Sequence, residues 1–249
     1  MKLAMFADVH SNLEAITACL RHARALGADR YAFLGDLVGY GADPVAVLDL
    51  IEDCAADGAV VVLGNHDATA IGRPADPLNA SAQQAIEWTQ SQLGDKQRAF
   101  LARLPLTVRE GDLLFVHASA AAPERSVYIT GPAEAAESIV AADAAYVFCG
   151  HVHEPALYYL AGDAGARAVP FRPVAGTPIP IERHRRWLAI IGSAGQPRDH
   201  NSAACYALAD LDRTRITFYR VAYDQRYAAE KIRAAGLPER IARRLERGT

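Results

Sequence analysis

Residues 2–8, KLAMFAD, decide the architecture. A short, unbroken apolar run without polar alternation reads as a strand buried on both faces. The run stops at a carboxylate, Asp8, and helical periodicity then begins: Leu13 to Leu26 is an amphipathic stretch closed by Gly27. The same unit recurs. RYAFLGD (30–36) is a second buried strand, Pro44 to Cys54 a helix with proline in its first turn, and AVVVLGN (59–65) a third strand. A βαβαβ rhythm predicts a mainly parallel sheet covered by helices, an α/β fold.

Downstream, Ser81 to Leu104 reads as helix anchored by Ala85, Trp88, Leu93, Phe100 and Leu104. Two strands, LTVRE and LLFVHAS, meet at a Glu110-Gly111-Asp112 turn. A helix from Ala133 to Ala141 leads into the strand AYVFCG. Five further strand-like runs, ALYYLAG, ARAVPF, RWLAIIGS, CYALADLD and RITFYRVAYD, lack intervening helices and predict a second, largely antiparallel sheet. From Asp224 the chain is helical, interrupted at Gly236-Leu237-Pro238. No linker or repeat divides residues 1–249, which read as one two-sheet domain.

With 249 residues, 51% hydrophobic and 22% charged, the chain suits a packed globular fold. A net charge of -3 offers no basic surface for nucleic acid. No run approaches the ~20 apolar residues that span a bilayer, and the start lacks the features of a signal peptide. The four cysteines form no CxxC pair and read as reduced thiols, so a cytoplasmic location is expected. The amphipathic tail permits a homo-oligomer without requiring one.

Polar residues gather where strands end. Asp8 and His10 follow the first strand, Asp36 the second, and Asn65, His66 and Asp67 the third. His117 follows LLFV, while His151 and His153 follow AYVFCG. Sites in open α/β sheets form beyond the carboxyl ends of strands. In extended backbone His151 and His153 would project to one side and reach a common point. A metal ion is one partner for two such imidazoles, and a surface loop with two histidines is the alternative. Asp8, Asp36 and Asn65 are also residue types that cap helices and make turns. Imidazole with carboxylate suits Mn, Fe, Ni or Zn. The five histidines together with two aspartates, seven ligands, exceed what one ion of about four to six ligands takes, whereas two ions sharing a bridging carboxylate would use them all.

In order along the chain, DVH, GDLVGYG, GNHD, VHAS and GHVH resemble the signature blocks of the calcineurin-like metallophosphoesterase superfamily. GSAGQPRDH (192–200) resembles a later block of its small bacterial phosphodiesterase-like members. The resemblance implies a four-layer αββα sandwich, two mixed sheets flanked by helices, around two divalent or trivalent transition-metal ions. Asp8, His10 and His153 would bind the first ion, and Asn65, His117 and His151 the second, with Asp36 bridging. His66 would be the general acid, oriented by Asp67, while a metal-bridging hydroxide attacks phosphorus. The expected partner is a small phosphoester substrate.

Asn12 could donate to a phosphate oxygen or cap the first helix; Arg198 could grip a phosphate or hold its own loop through Asp199. His22 and His184 read as surface residues, and His200 as a border of the site. Gly39-Tyr40 stands where protein phosphatases of this superfamily carry a phosphate-binding arginine, which argues against a Ser/Thr protein phosphatase and for diesters or small phosphate esters. A phosphodiesterase is therefore the first reading and a phosphomonoesterase the alternative. A non-catalytic metal-binding scaffold ranks below both, because His66 and Asp67 are present. Substrate choice is assigned to the loops at 72–79 and 161–178.

Overall fold

All three opening apolar runs are strands: β1 (Lys2–Phe6), β2 (Arg30–Leu34) and β3 (Val60–Val62). They pair in parallel, Leu3 opposite Arg30 and Ala32 opposite Val60. The structure, a computed structural model, describes residues 1–73, 78–160 and 167–249. Parts of the loops assigned above to substrate choice, 74–77 and 161–166, lie outside the described residues.

Helix α1 (Leu13–Ala25) begins where the Asn12 side chain accepts from the Ala15 amide at 3.1 Å. Its buried stripe, Ala15, Ile16, Cys19, Leu20 and Ala23, falls on one side of a 3.6-residue repeat. Helix α2 (Pro44–Ala56) starts on the expected proline. A short helix α3 (Asn65–Ala70) was not predicted, and it places Asn65, His66 and Asp67 in its first turn. The long helix expected from Ser81 is two, α4 (Ala80–Gln92) and α5 (Asp95–Arg103). Leu93 and Gly94 are extended between them, with ψ of 126° and 178°, which breaks the hydrogen-bond ladder.

The remaining strands are β4 (Thr107–Glu110), β5 (Leu113–Val116), β6 (Tyr146–Cys149), β7 (Ala156–Leu160), β8 (Ala168–Phe171), β9 (Ile179–Pro180), β10 (Arg186–Ile190), β11 (Ala204–Asp210) and β12 (Arg215–Val221). Helix α6 (Pro132–Ala142) precedes β6, and α7 (Gln225–Ala234) and α8 (Glu239–Arg247) close the chain. One six-stranded sheet runs β3-β2-β1-β11-β12-β9 and the other β4-β5-β6-β10-β7-β8. The two mixed sheets, flanked by helices, are the expected α/β sandwich.

The expectation of a second, largely antiparallel sheet built from the later hairpins is corrected. Strands β9, β11 and β12 complete the first sheet, with β11 antiparallel to β1. In the second sheet β5, β6 and β10 are parallel. A hairpin pattern reports which neighbours pair, but not which open edge the pair then joins.

Between the sheets lie Leu3, Met5, Leu34, Val62, Phe115, Phe148, Trp187, Ile216 and Phe218. Each phenylalanine buried there contributes about 1.5–3 kcal/mol. The outer face of the first sheet packs on α1 and α2 through Phe6, Ile16, Phe33, Val47 and Ile51, and that of the second on α6 through Ile139. Helices α4, α7 and α8 enclose a fourth cluster that includes Tyr40. No helix among the described residues is long and apolar enough to cross a membrane. All four cysteines are free thiols.

Candidate metal centre and active site

The loops leaving β1, β2 and β6 turn sharply through left-handed backbone. Asp8, His10, Asp36, His151 and His153 have φ of 53°, 48°, 51°, 68° and 66°. Non-glycine residues rarely adopt this region, at about 1–3 kcal/mol each, and such strain gathers at functional sites. GHVH is therefore not a strand continuation, and the common-point reading of His151 and His153 is corrected. The two imidazoles diverge into different groups.

One group is Asp8, His10 and His153; the other is Asp36, His117 and His151. All six are buried, and within each group the ligand atoms lie within 4.8 Å of one another. Asn65 joins the second group, its Oδ1 3.1 Å from His117 Nε2. The Asp36 carboxylate lies between the groups, with Oδ2 3.7 Å from His10 Nε2 and 3.4 Å from His117 Nε2. All seven ligand residues expected from the sequence thus converge on one place.

Backbone carbonyls orient the rings. His10 Nδ1 lies 3.1 Å from Val38 O, His117 Nδ1 2.8 Å from Leu34 O, and His153 Nδ1 2.6 Å from Gln196 O. Each carbonyl demands the proton at Nδ1, so in the neutral ring the Nε2 lone pair points inward. Yet His10 Nε2 and His153 Nε2 face each other at 3.1 Å, as do His117 Nε2 and His151 Nδ1. Asp8 Oδ1 and His151 Nε2 are buried without a hydrogen-bond partner. Converging acceptors with orphaned neighbours fit a pair of cations, and each group could hold one.

Protonation follows from burial and charge. Burial pushes the Asp8 carboxyl up to about 8 and holds His10 and His153 well below the usual imidazole range. Burial, then His117, lowers His151 to about 3. For His117 burial acts against the charge, but Asp36 and Asp8 outweigh it and raise the ring to about 10. The metal-free centre at neutral pH therefore holds protons on Asp8 and His117 that a metal must displace. Loading with Mn²⁺ is expected to release up to about two protons, with affinity rising as pH increases from 7 towards 10. Calorimetry in buffers of different ionisation enthalpy checks this; identical heats in all buffers would contradict it.

His66 lies beside the first group, its ring 4.9 Å from that of His10 and 4.7 Å from that of Tyr40. It is buried, its Nδ1 has no partner, and burial lowers its pKa. The expectation that Asp67 orients His66 is corrected. Asp67 accepts instead from the amides of Leu37, Val38 and Gly64 at 2.8, 3.0 and 2.9 Å, clasping the loop after β2 to the start of α3. Asn12 is also committed: besides capping α1 it donates to Gly195 O at 2.8 Å and Tyr223 at 3.3 Å, which leaves no donor for a phosphate. Asp199 pairs with Arg220, not with Arg198, so Arg198 does not hold its loop through Asp199. Arg198 instead donates to Gln196 Oε1 at 3.0 Å and lies over the Tyr40 ring, 5.8 Å from its centroid.

His22 is not a free surface residue, since its Nδ1 meets the Tyr206 hydroxyl at 2.8 Å. His184 is exposed beside Glu182, and His200 is exposed at the end of the 192–200 loop. Two site neighbours were missed by sequence reasoning. Tyr128, half-exposed, lies over His151 with ring centroids 4.0 Å apart, and nothing in its local pattern signals that. Tyr40 was noted only for the residue it replaces.

Comparison with known proteins agrees with this geometry. The calcineurin-like phosphoesterase superfamily domain matches residues 1–214. The uncharacterized protein MJ0912 of Methanocaldococcus jannaschii is 33% identical over 98% of this chain and 96% of its own. A metallophosphoesterase from Sphaerobacter thermophilus superposes with TM-score 0.87 at 34% identity, covering 100% of this chain and 99% of that one. The hypothetical protein PH1004 of Pyrococcus horikoshii shares the fold, with TM-score 0.77 at 19% identity over 100% and 98% of the two chains. The chain belongs to the calcineurin-like phosphoesterase superfamily.

Proposed function

We propose that this phosphoester hydrolase is a phosphodiesterase that uses two transition-metal ions. The observation that supports the reading is the pair of buried His/Asp groups with Asp36 between them and the His66 imidazole alongside. Asp8, His10 and His153 would hold one ion, Asn65, His117 and His151 the other, and Asp36 both. Bound there, two ions would neutralise phosphoryl oxygens and supply a water nucleophile at neutral pH.

The chain's own residues do the rest. The carbonyls of Val38, Leu34 and Gln196 fix the three imidazoles before substrate arrives. Burial keeps His66 neutral in the free protein. The negative charge of a bound phosphate favours its protonated form, from which a proton passes to the departing oxygen. A diester leaves an alkoxide that needs that proton. Four free thiols suit a reducing cytoplasm.

The test is turnover of bis(p-nitrophenyl) phosphate beside p-nitrophenyl phosphate with Mn²⁺, Ni²⁺, Zn²⁺ or chelator. Metal-dependent hydrolysis favouring the diester is expected; a monoester preference would overturn the diesterase reading, and no turnover with any metal would favour a scaffold. The acid role has its own signature. His66→Ala is expected to slow a diester with an alkyl leaving group about 10²–10⁴-fold. It should slow bis(p-nitrophenyl) phosphate far less, because p-nitrophenolate departs without a proton. Equal losses on both would assign His66 to phosphate binding.

A further inference from the structure

Asp67 does not orient His66, so something else must. The Nδ1 atom of His66 is buried without a hydrogen-bond partner among the described residues. An imidazole with no such bond keeps a broad χ2 well and can turn within it. A proton donor must nonetheless hold one geometry, because a misplacement of about 1 Å can cost about 10²-fold in rate.

Packing supplies the missing constraint. The Tyr40, His10 and His66 rings meet as a triangle, with centroids 4.7 Å from Tyr40 to each imidazole and 4.9 Å between the imidazoles. Tyr40 stands edge-on to His10, at 65°, and tilted against His66, at 46°. Contacts between flat rings favour such particular geometries. Gly39 backs the edge of His66 that bears Nδ1. A Cβ added to Gly39 would lie 2.5 Å from that nitrogen and 3.3 Å from Cγ. Only glycine lets backbone approach so closely. Backbone, not a carboxylate, supports this edge of the ring.

Tyr40 is itself fixed. It is 4% exposed and sits in left-handed backbone, with φ of 59°, which a bulky residue rarely adopts. The Gly41 N–H donates to Gly39 O at 2.7 Å and to His10 O at 3.1 Å, which closes the turn around the tyrosine. Ala85 of α4, Ala229 of α7, and Ile241 and Leu245 of α8 share its apolar cluster. The Arg198 guanidinium lies over the ring, 5.8 Å from its centroid, and is tied to Gln196 Oε1 at 3.0 Å. Strained backbone persists only where its surroundings enforce it, and it gathers where geometry serves function.

We infer that Gly39 and Tyr40 are the positioning residues for His66, holding the acid by ring and backbone contact in place of a hydrogen-bonded carboxylate. This rests on the acid reading of His66 above and adds the device that aims it. Tyr40 also touches His10, so metal content is the control that separates an effect on the acid from an effect on the metal group.

The test uses full-length, zinc-loaded protein. Tyr40→Leu should slow thymidylyl-3′,5′-thymidine, whose departing oxygen is an alkoxide, up to about 10²-fold in kcat with little change in KM. It should slow bis(p-nitrophenyl) phosphate far less. Tyr40→Phe keeps the ring and should recover most of the loss. In a His66→Ala background Tyr40→Leu should add no further loss. Tyr40→Met, whose flexible side chain fills irregular space, replaces the leucine variant if that one does not fold. Equal losses on both esters, or a fall in zinc content, would overturn the positioning role and assign Tyr40 to the metal group. A crystal structure of zinc-loaded Tyr40→Leu gives a readout independent of turnover. The His66 ring should be displaced or split between rotamers while the ligand residues keep their places; a single unmoved ring would overturn the inference. A displaced ring in a protein that turns over neither ester would keep the positioning role and remove the diesterase reading. Turnover of both esters by wild-type protein, with an unmoved ring in the variant, would do the reverse.

Discussion

Asp36→Asn is expected to lower kcat/KM at least about 10³-fold, close to 4 kcal/mol of lost transition-state stabilisation, while leaving the chain folded. The amide keeps the shape and can still accept from the His66 amide as Asp36 Oδ1 does at 2.9 Å. What it loses is charge. Asp36 Oδ2 is the carboxylate oxygen nearest His117 and also faces His10 of the other group. The charge of His117, and that of Asp36 itself, each depends on the other. Without the carboxylate two cations would sit together with only Asp8 to offset them. Metal content measured by mass spectrometry should fall from about two ions per chain to one or fewer, with an unchanged far-ultraviolet circular dichroism spectrum. Two ions retained at wild-type turnover would exclude Asp36 as the shared ligand.

Asp67→Ala should act on the fold. Its carboxylate is fully buried and satisfies three backbone amides, on Leu37, Val38 and Gly64. Leaving a buried donor unpaired costs about 1–3 kcal/mol, so with partial relaxation the loss should be about 3–5 kcal/mol. For a chain of this size that is a fall in Tm of roughly 6–20 °C. Asp67→Asn should lose less, since one oxygen remains for Leu37 and Val38 while its amide opposes the Gly64 N–H. Thermal melts of the three proteins order these effects. Unchanged melting with a large loss of kcat would instead restore a direct role for Asp67 beside His66.

The difference between these two aspartates shows where sequence reasoning reached and where it stopped. Asp36 and Asp8 were legible because each ends a buried strand, and a strand end fixes position to within a residue or two. So were His117 and Asn65, for the same reason. The division of His151 and His153 between two groups was implied only by resemblance, because the residues alone suggested extended backbone. Positive φ at non-glycine positions leaves no compositional trace. Asp67 was misjudged for a related reason: its neighbour in sequence is His66, but two of its three amide partners, Leu37 and Val38, lie some thirty residues away. In the fold, both continuous strand runs and helix periods were readable. Sheet membership was not, since β11 and β12 resemble any hairpin until β1 is seen to lack a partner on one side.

The interleaving of the two sheets also sets an order of events during synthesis. All seven candidate ligands have been translated once His153 is made. At that moment β1 still lacks β11, and β6 still lacks β10. The Gln196 carbonyl that aims His153 has not been made either. Pairings this distant along the chain close late, because the entropy of the intervening loop must be overcome first. A nascent chain therefore carries every ligand for a metal well before it can arrange them. The centre forms only as β10 and β11 take their places beside β6 and β1, so native metal capture follows synthesis of the chain through Asp210.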